Sequence, residues 1–265
     1  MMVASTFRRC AGEAMDGAKE LGGRVAIVTG AGRNIGRAIA LELAAGGAAV
    51  VVNTRANRAE AAAVAQEIVA AGGAALPVTG DVADAAAVAA MVEDAVARFS
   101  RIDFVVNNAA LRAERPFADM TYGEWRRILD VILDGAFHCA KACLPYLKQS
   151  GAGAIVNIGG LSSHTGSKER AHVVTAKSGL VGFTRALAHD LADDNVTVNC
   201  IAPGLVATAR PKDFVLPDHH AVHRTLSGRR GSPHDIATIV RFLCGPGARF
   251  ITGQTIHASG GAFIS

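Results

Sequence analysis

Short apolar, β-branched runs recur along the chain, and most are followed by a segment with apolar positions at helical spacing. The first such pair is a strand over 25–28 and a helix that begins near Gly36. Further strands are predicted over 48–53, 75–78, 103–107, from 154, over 196–201 and over 254–258. Helices are predicted over 58–71, 88–99, 122–148, 173–191 and 234–243. Because strands alternate with helices and are apolar on both faces, the pattern predicts a parallel sheet covered on both sides.

The size of the chain supports the same architecture. With 265 residues, half of them hydrophobic, residues 23–265 suit one large α/β domain rather than two small ones. We expect a Rossmann-type, doubly wound sheet whose ligand lies beyond the carboxyl ends of the strands. Residues 1–22 are expected to be a flexible extension, and Met15 is a second candidate for the start of the protein.

Composition excludes several other classes of function. The 27 basic and 23 acidic side chains are spread along the chain, so the net charge of +4 gives no reason to expect a nucleic-acid partner. Five cysteines form no CxxC pair and are interpreted as reduced thiols of a cytoplasmic protein. No apolar run approaches the roughly 18–20 residues that span a bilayer. His219, His220 and His223 lack partners that would complete a ligand set, so no metal is predicted.

A glycine-rich turn, TGAGRNIG at 29–36, joins the first strand to the first helix. Glycines allow positive φ and let backbone N–H groups approach a pyrophosphate, whose charge is favoured at a helix N-terminus. The turn therefore predicts a dinucleotide site, although glycine-rich turns also arise for packing alone.

The order of motifs resembles the short-chain dehydrogenase/reductase family, in particular its 3-oxoacyl-carrier-protein-reductase-like branch. The resemblance covers about residues 22–263 and rests on a set of motifs in the family's order: TGAGRNIG, Asp81-Val82, NNAA at 107–110, Lys177, Pro203-Gly204 with Thr208, and ITGQTIHASGG. It implies a nicotinamide cofactor and a small carbonyl or alcohol substrate. It also implies a homo-oligomer, a tetramer or dimer, in which the helices after Tyr122 and Val173 pair across a twofold axis.

The choice of cofactor depends on the end of the second strand. A carboxylate there would bind the ribose hydroxyls of NAD, but this chain has Asn53, Thr54 and Arg55. Arg55 and Arg33 together favour the 2′-phosphate of NADP(H), unless both are solvated loop residues. The resemblance assigns the following residues to the cofactor: Gly30, Arg33, Asn34, Ile35, Gly36, Asn53, Thr54, Arg55, Asp81, Val82, Asn107, Ala109, Lys177, Pro203, Gly204, Val206 and Thr208. Asn34 replaces a usual glycine, and asparagine tolerates left-handed backbone.

Three of the four catalytic groups that the resemblance implies are absent. The family's tyrosine belongs four residues before Lys177, where this chain has Val173. Its serine position is Gly160, and its asparagine position is Ile132. The family's proton transfer therefore cannot run unchanged.

Several side chains are candidates for a replacement proton donor. His172 adjoins the missing tyrosine but lies roughly 140° around a helix from Lys177. Ser162, Ser163 and His164 lie in the loop after the fifth strand. Each of these is also explained as a solvated or capping group, and Lys177 by itself is explained as a ribose anchor.

Three functions remain open at this point. The first is an NADP(H)-dependent oxidoreductase acting on a carbonyl/alcohol pair with a non-standard proton donor. The second is a cofactor-binding pseudoenzyme or regulatory subunit, and the third, less favoured, is an isomerase or lyase. The segment 205–231 is the expected lid, in which Arg210, Lys212 and Arg224 either meet an anionic substrate or are solvated.

Overall fold

The computed structural model describes residues 19–209 and 225–264. Within them the strands are β1 Val25–Val28, β2 Ala49–Thr54, β3 Ala75–Thr79, β4 Phe104–Asn107, β5 Ala154–Ile158, β6 Thr197–Pro203 and β7 Thr255–Ala258. The α-helices of the same residues are α1 Asn34–Ala45, α2 Arg58–Ala70, α3 Ala85–Phe99, α4 Tyr122–Leu129, α5 Gly135–Gln149, α6 Ser162–Thr165, α7 Ala171–Asp190 and α8 Pro233–Cys244.

The strands form one parallel sheet in the order β3-β2-β1-β4-β5-β6-β7. The chain winds outward from β1 in one direction and then from β4 in the other. The carboxyl ends of β1 and β4 therefore form the switch point at which such sheets bind ligands. The predicted single-domain, doubly wound α/β fold of Rossmann type is confirmed.

Helices cover both faces of the sheet because strand residues alternate in direction. Ala26 and Val28 face one apolar core with α1 and α8, while Ile27 faces the other with α3 and α5. Each large side chain buried in these cores contributes about 1.5–3 kcal/mol. The edge strands β3 and β7 are only partly buried, so the expectation that every strand is apolar on both faces is wrong at the edges, where no neighbour covers one side.

The single long helix predicted over 122–148 is interrupted. A π-helical turn, Asp130–Asp134, separates α4 from α5. Arg126 bonds both Asp130, at 2.5 Å, and Asp134, at 2.8 Å, across this turn. After the turn, Gly135 packs so closely on Val82 that a Cβ atom would lie 2.7 Å from its Cγ2. The extra residue in the turn therefore accompanies a close contact between α5 and the loop after β3.

The domain begins earlier than residue 23. Leu21 is 1% exposed and belongs to the core under α1 and α8. Glu20 pairs with Arg241 of α8 at 2.6 Å, and this partnership lowers the pKa of the Glu20 carboxyl. Residues 19–22 are therefore part of the fold rather than of a flexible extension; residues 1–18, with Met15, lie outside the described residues.

A buried carboxylate holds the amino edge of the sheet. Asp103 is 0% exposed and precedes β4. It accepts hydrogen bonds from the backbone N–H of Val25 at 2.9 Å, from Arg24 at 2.8 Å and from Arg101 at 2.6 Å. One side chain thus ties β1 and β4 together at the end opposite the switch point.

Asp103→Asn is expected to lower the free energy of unfolding by about 1–3 kcal/mol, because it removes the charge that the two arginines share. The loss of stability stays in this range because both arginines are partly exposed, so water can hydrate their guanidinium groups after the substitution. Urea unfolding measures it, with the exposed Asp94→Asn as the matched control, expected within about 0.5 kcal/mol of the wild type. Equal stabilities of the two variants would contradict the assigned role.

Candidate functional site

The glycine turn after β1 is braced by the segment after β4. The Thr29 hydroxyl accepts the backbone N–H groups of Asn108 and Ala109, both at 3.0 Å. The Asn108 side-chain amide donates to the carbonyl oxygens of Thr29 and Gly30 at 2.9 and 3.0 Å. The two central strands are thereby tied together at the switch point.

Glycine is required at three positions of this turn. Gly30 has a φ of +62°, and a Cβ there would lie 3.0 Å from the Cα of Ala109. A Cβ on Gly36 would overlap the carbonyl oxygen of Gly30, and one on Gly32 would lie 2.7 Å from Thr54 Cγ2. The turn thus forms a cradle of bare backbone at the start of α1, which is the geometry that a pyrophosphate needs.

Asn34 adopts a φ of 50°, which confirms the prediction that asparagine supports left-handed backbone at this glycine position. Its Oδ1 accepts the backbone N–H of Ala209 at 2.8 Å, so α1 is tied to the segment after β6. Ile35 packs against the core under α1.

Two of the residues assigned to the cofactor at the end of β2 hold loops. Asn53 is buried, accepts the N–H of Gly30 at 3.4 Å and donates to the carbonyl of Gly80 at 3.1 Å. Thr54 is also buried, and its hydroxyl donates to the carbonyl of Asn57 at 2.9 Å. Both side chains therefore position the turns around the site.

Charged groups surround the region beside β2 and β3. Arg33 and Arg55 are exposed. Arg55 and Asp81 line a cavity of about 230 Å³ that is closed on its other side by α4 and the π-helical turn. The sequence analysis missed Glu60, whose carboxylate would lie 2.9 Å from a Cβ on Gly32. Positive and negative groups thus both reach the place where the adenosine end of a dinucleotide would lie.

A chain of side-chain hydrogen bonds crosses the switch point. The Asn107 amide donates to Asn157 Oδ1 at 2.8 Å, and the Asn157 amide donates to the Thr184 hydroxyl at 2.9 Å. Asn107 Oδ1 and Thr208 Oγ1 are buried and have no hydrogen-bond partner among the described residues. Such orphaned polar atoms fit a ligand that carries hydroxyl and amide groups, as a dinucleotide does.

Lys177 lies at the centre of the site and is 8% exposed. Its ammonium group donates to the carbonyl oxygen of Ile158 at the end of β5. Burial lowers the pKa of Lys177 to about 8, Cys200 opposes this shift, and the positive charges of Arg112 and Arg170 add to it. Burial therefore brings the pKa of Lys177 closer to neutral pH than that of a solvated lysine.

The three positions at which the sequence resemblance places catalytic groups are apolar or carry no side chain. Ile132, within the π-helical turn, and Val173 are 2% and 3% exposed and pack in one cluster with Ile128 and Leu180. At Gly160 a Cβ would meet no atom within 4 Å. The cluster contributes no proton donor, and open space lies beside Gly160.

One histidine candidate, His172, is fully buried, and the other, His164, packs against a neighbouring ring. His172 is 0% exposed, and neither ring nitrogen has a hydrogen-bond partner in the described part of the chain. The His164 ring packs edge-on against His257 at 4.5 Å and lies 5.6 Å from Phe263. Burial lowers the pKa of all three histidines, which favours their neutral forms. Their catalytic roles stay predictions.

The two serine candidates lie in a helical turn rather than in a loop. Ser162 and Ser163 belong to α6, and the Ser163 hydroxyl donates to the carbonyl of Gly160 at 2.6 Å. This bond closes the helical turn. It gives the Ser163 hydroxyl the structural role that was the alternative to a catalytic one.

Other assigned residues shape the carboxyl edge of β6. A Cβ on Gly204 would lie 2.7 Å from Ser259 Cα, and the Pro203 carbonyl accepts the N–H of Leu161 at 2.9 Å. Val206 pairs with Gly231 in a parallel bridge, so the two ends of the expected lid lie side by side. Residues 210–224 of the expected lid, among them Arg210, Lys212, His219, His220, His223 and Arg224, lie outside the described residues.

Three features are absent from the residues that the structure describes. In residues 19–209 and 225–264, no group of three or more histidine, cysteine or acidic side chains is placed to hold a metal ion. No helix of that part is long and apolar enough to cross a membrane. The cysteines at 139, 143, 200 and 244 are buried and free, as expected of reduced thiols.

The sequence analysis also missed four further residues of the site. Asn157 was signalled by an amide inside a buried apolar strand, and Asn108 by its place in NNAA. Arg112 and Arg170 belong to two distant, aperiodic segments, and only the fold brings them to the same edge of the sheet. No pattern in the sequence could have paired these two arginines.

This geometry is that of a Rossmann-type α/β protein, and comparison with known proteins gives its family. The family described as Enoyl-(Acyl carrier protein) reductase matches residues 30–262. A Staphylococcus aureus protein named 3-oxoacyl-(acyl-carrier-protein) reductase FabG is 36% identical over 241 residues, which cover 90% of this chain and 98% of the relative. The short-chain reductase protein NovJ of Streptomyces niveus is 40% identical over 247 residues, covering 89% and 93%.

A solved structure agrees with these relatives. The chain superposes with a TM-score of 0.86 and 32% identity on a 7α-hydroxysteroid dehydrogenase in complex with NADH and 7-oxo glycochenodeoxycholic acid, covering 92% of this chain and 95% of that one. The chain therefore belongs to the short-chain dehydrogenase/reductase family, whose relatives here are carbonyl/alcohol oxidoreductases.

Gly36→Ala is expected to weaken NADPH binding at least about tenfold, equivalent to 1.4 kcal/mol, and to lower stability by about 1–3 kcal/mol, because the new methyl overlaps the Gly30 carbonyl. Calorimetric titration and urea unfolding measure the two effects. Gly182→Ala in α7 is the matched control, since its Cβ meets no atom within 4 Å; it is expected to keep NADPH affinity and to gain up to about 1 kcal/mol. Unchanged NADPH affinity in Gly36→Ala would place the nucleotide elsewhere.

Proposed function

We propose that this protein is an NADP(H)-dependent oxidoreductase acting on a carbonyl/alcohol pair, with Lys177 rather than a tyrosine holding the proton. The observation that carries the proposal is the placement of a buried lysine, with a pKa of about 8, at the same edge of the sheet as the glycine cradle. The cradle has the geometry to bind a dinucleotide. Lys177 provides a titratable group in a chain that lacks the other catalytic groups implied by the resemblance.

The residues present fit a nicotinamide cofactor. The bare backbone around Gly30 and Gly36 suits its pyrophosphate, while the orphaned oxygens of Asn107 and Thr208 suit its ribose and amide groups. Arg33 and Arg55 would hold a 2′-phosphate. When bound, the nicotinamide supplies or accepts the hydride.

Lys177 has the properties of a general acid and base. Its charged form is destabilised by burial, and its proton is therefore released more readily than that of a solvated lysine. A group with a pKa near the working pH transfers protons efficiently in either direction. In reduction the ammonium form gives its proton to the carbonyl oxygen, and in oxidation the neutral amine takes the hydroxyl proton.

Arg55→Ala is expected to weaken NADPH binding about 10–100-fold, the range for one charge-assisted contact, and to leave NADH binding unchanged. Parallel titrations with both nucleotides measure this. Arg58→Ala is the control for the general loss of positive charge, because Arg58 is also exposed and begins α2. If Glu60→Gln instead weakens NADH and Arg55→Ala changes nothing, the cofactor is NAD.

The rate of carbonyl reduction at saturating NADPH is expected to fall as pH rises through about 8, and the rate of alcohol oxidation to rise, because Lys177 loses its proton there. Lys177→Met is expected to lower both rates at least about 100-fold. Lys177→Arg keeps the charge but does not titrate near pH 8, so it removes the inflection. Nicotinamide absorbance followed over a panel of ketones and alcohols measures the rates.

The controls separate proton transfer from cofactor anchoring. NADPH dissociation constants of the Lys177 variants are measured in the same samples, and the rates are compared only at saturation. An inflection that persists in Lys177→Arg and disappears in His164→Ala or His172→Ala would assign the proton to that histidine instead.

A second candidate function is a cofactor-binding pseudoenzyme or regulatory subunit. The apolar packing of Ile132 with Val173 and the bare backbone at Gly160 favour it, since no polar group there remains to orient a substrate. Tight NADPH binding without turnover of any ketone or alcohol in the panel would support it over the oxidoreductase.

Assembly and location complete the proposal. We expect a homo-tetramer or homo-dimer built on α4, α5 and α7; α5 exposes Phe137, which is 51% accessible, on a helix of this proposed interface. A cytoplasmic location fits the free thiols. Sedimentation analysis of the purified protein tests the assembly.

A further inference from the structure

Arg112 and Arg170 lie in two loops that a backbone hydrogen bond joins. The N–H of Arg115, in the loop after β4, donates to the carbonyl of Glu169, in the loop before α7, at 2.7 Å. Glu169 adopts a left-handed φ of 60° to make this contact. The two loops are thereby held against each other at the carboxyl edge of the sheet.

Both arginines lie close to Lys177. Arg170 immediately precedes α7, about two helical turns before Lys177. Arg112 and Arg170 both lower the pKa of Lys177 through their charge. The two joined loops therefore bring two positive side chains to the edge of the sheet at which Lys177 lies.

Within residues 19–209 and 225–264 neither arginine forms an ion pair, although the carboxylate of Glu114 lies near enough to Arg170 to oppose the lowering of its pKa. Neighbouring Arg115 and Arg126 pair with carboxylates, whereas the described residues provide no ion pair to Arg112 or Arg170. The Arg170 Nε is buried, and within the same ranges it has no hydrogen-bond partner. Partial removal from water lowers the pKa of both guanidinium groups, and mutual repulsion with Arg170 and Arg33 adds to this for Arg112.

Arg112 is exposed and Arg170 is half-buried. Guanidinium groups of like charge that form no ion pair with the described residues repel each other, and an anion placed between them removes this repulsion. We infer that Arg112 and Arg170 bind an anionic group of the substrate, a carboxylate or a phosphate, next to Lys177. The inference rests on the proposed function and gives its substrate class: carbonyl or alcohol compounds that carry a negative charge near the reacting carbon.

The experiment titrates malonate and inorganic phosphate separately into the protein, with and without saturating NADPH, by calorimetry. Arg112→Gln and Arg170→Gln are each expected to weaken the better of the two anions at least about tenfold. Arg98→Gln on α3, an exposed arginine far from the site, is the control and keeps the affinity. The preferred probe decides between a carboxylate and a phosphate.

A turnover measurement extends the test to the substrate. With NADPH, acetoacetate is expected to be reduced with a higher kcat/KM than methyl acetoacetate, which has the same ketone without the charge. Arg112→Gln and Arg170→Gln are expected to remove this preference by lowering kcat/KM for the acid only.

The outcomes separate this inference from the proposed function. Anion binding that depends on both arginines without any turnover would support the anion site while overturning the oxidoreductase. No binding of malonate or phosphate, equal anion affinity in the arginine variants, or a loss confined to NADPH affinity would overturn the anion site, the last by assigning the arginines to the cofactor.

Discussion

The packing of Gly36 against the carbonyl oxygen of Gly30 is the contact on which the rest of the site depends. Because no side chain fits between them, α1 can begin directly at the end of β1. Asn108 closes the same turn from β4, so the switch point becomes a rigid edge of exposed backbone. The loops that follow the neighbouring strands begin at this edge. Lys177 and the oxygens of Asn107 and Thr208, which have no hydrogen-bond partner among the described residues, also lie there.

The fold could be predicted from sequence because its signals are local and periodic. Apolar runs such as 49–52 that are followed by helical segments indicate strands of a parallel sheet covered on both faces, and glycines at 30 and 36 mark the turn. What could not be predicted depends on contacts between distant segments. The π-helical turn accompanies the close contact of Gly135 with Val82, and Leu21 belongs to the core only because α8 returns to cover it.

The part of the candidate site that would bind the cofactor could be predicted from the sequence. The part that would carry out the reaction could be predicted less well. Backbone geometry and glycine spacing define the cradle, so the motif alone indicates it. The function of a side chain such as Asn53 depends instead on its partners, and the structure shows it holding two turns. The same limit applies to His172, which adjoins Val173 in the sequence and was expected about 140° around the helix from Lys177; its ring is fully buried.

The residues at positions 132, 160 and 173 have a common electrostatic consequence for the part of the site that would carry out the reaction. With Ile132, Gly160 and Val173 at these positions, a charge that develops on a carbonyl oxygen would be stabilised by the cations around Lys177. Arg112 and Arg170 lower the pKa of that lysine while they are unpaired. An anion bound between them would cancel their repulsion and favour the ammonium form, so substrate binding would itself load the proton that reduction requires. In such an arrangement the substrate's own charge, rather than a hydroxyl network, would prepare the acid, and Lys177 would have a function with Ile132, Gly160 and Val173 at the positions where the sequence resemblance places an asparagine, a serine and a tyrosine.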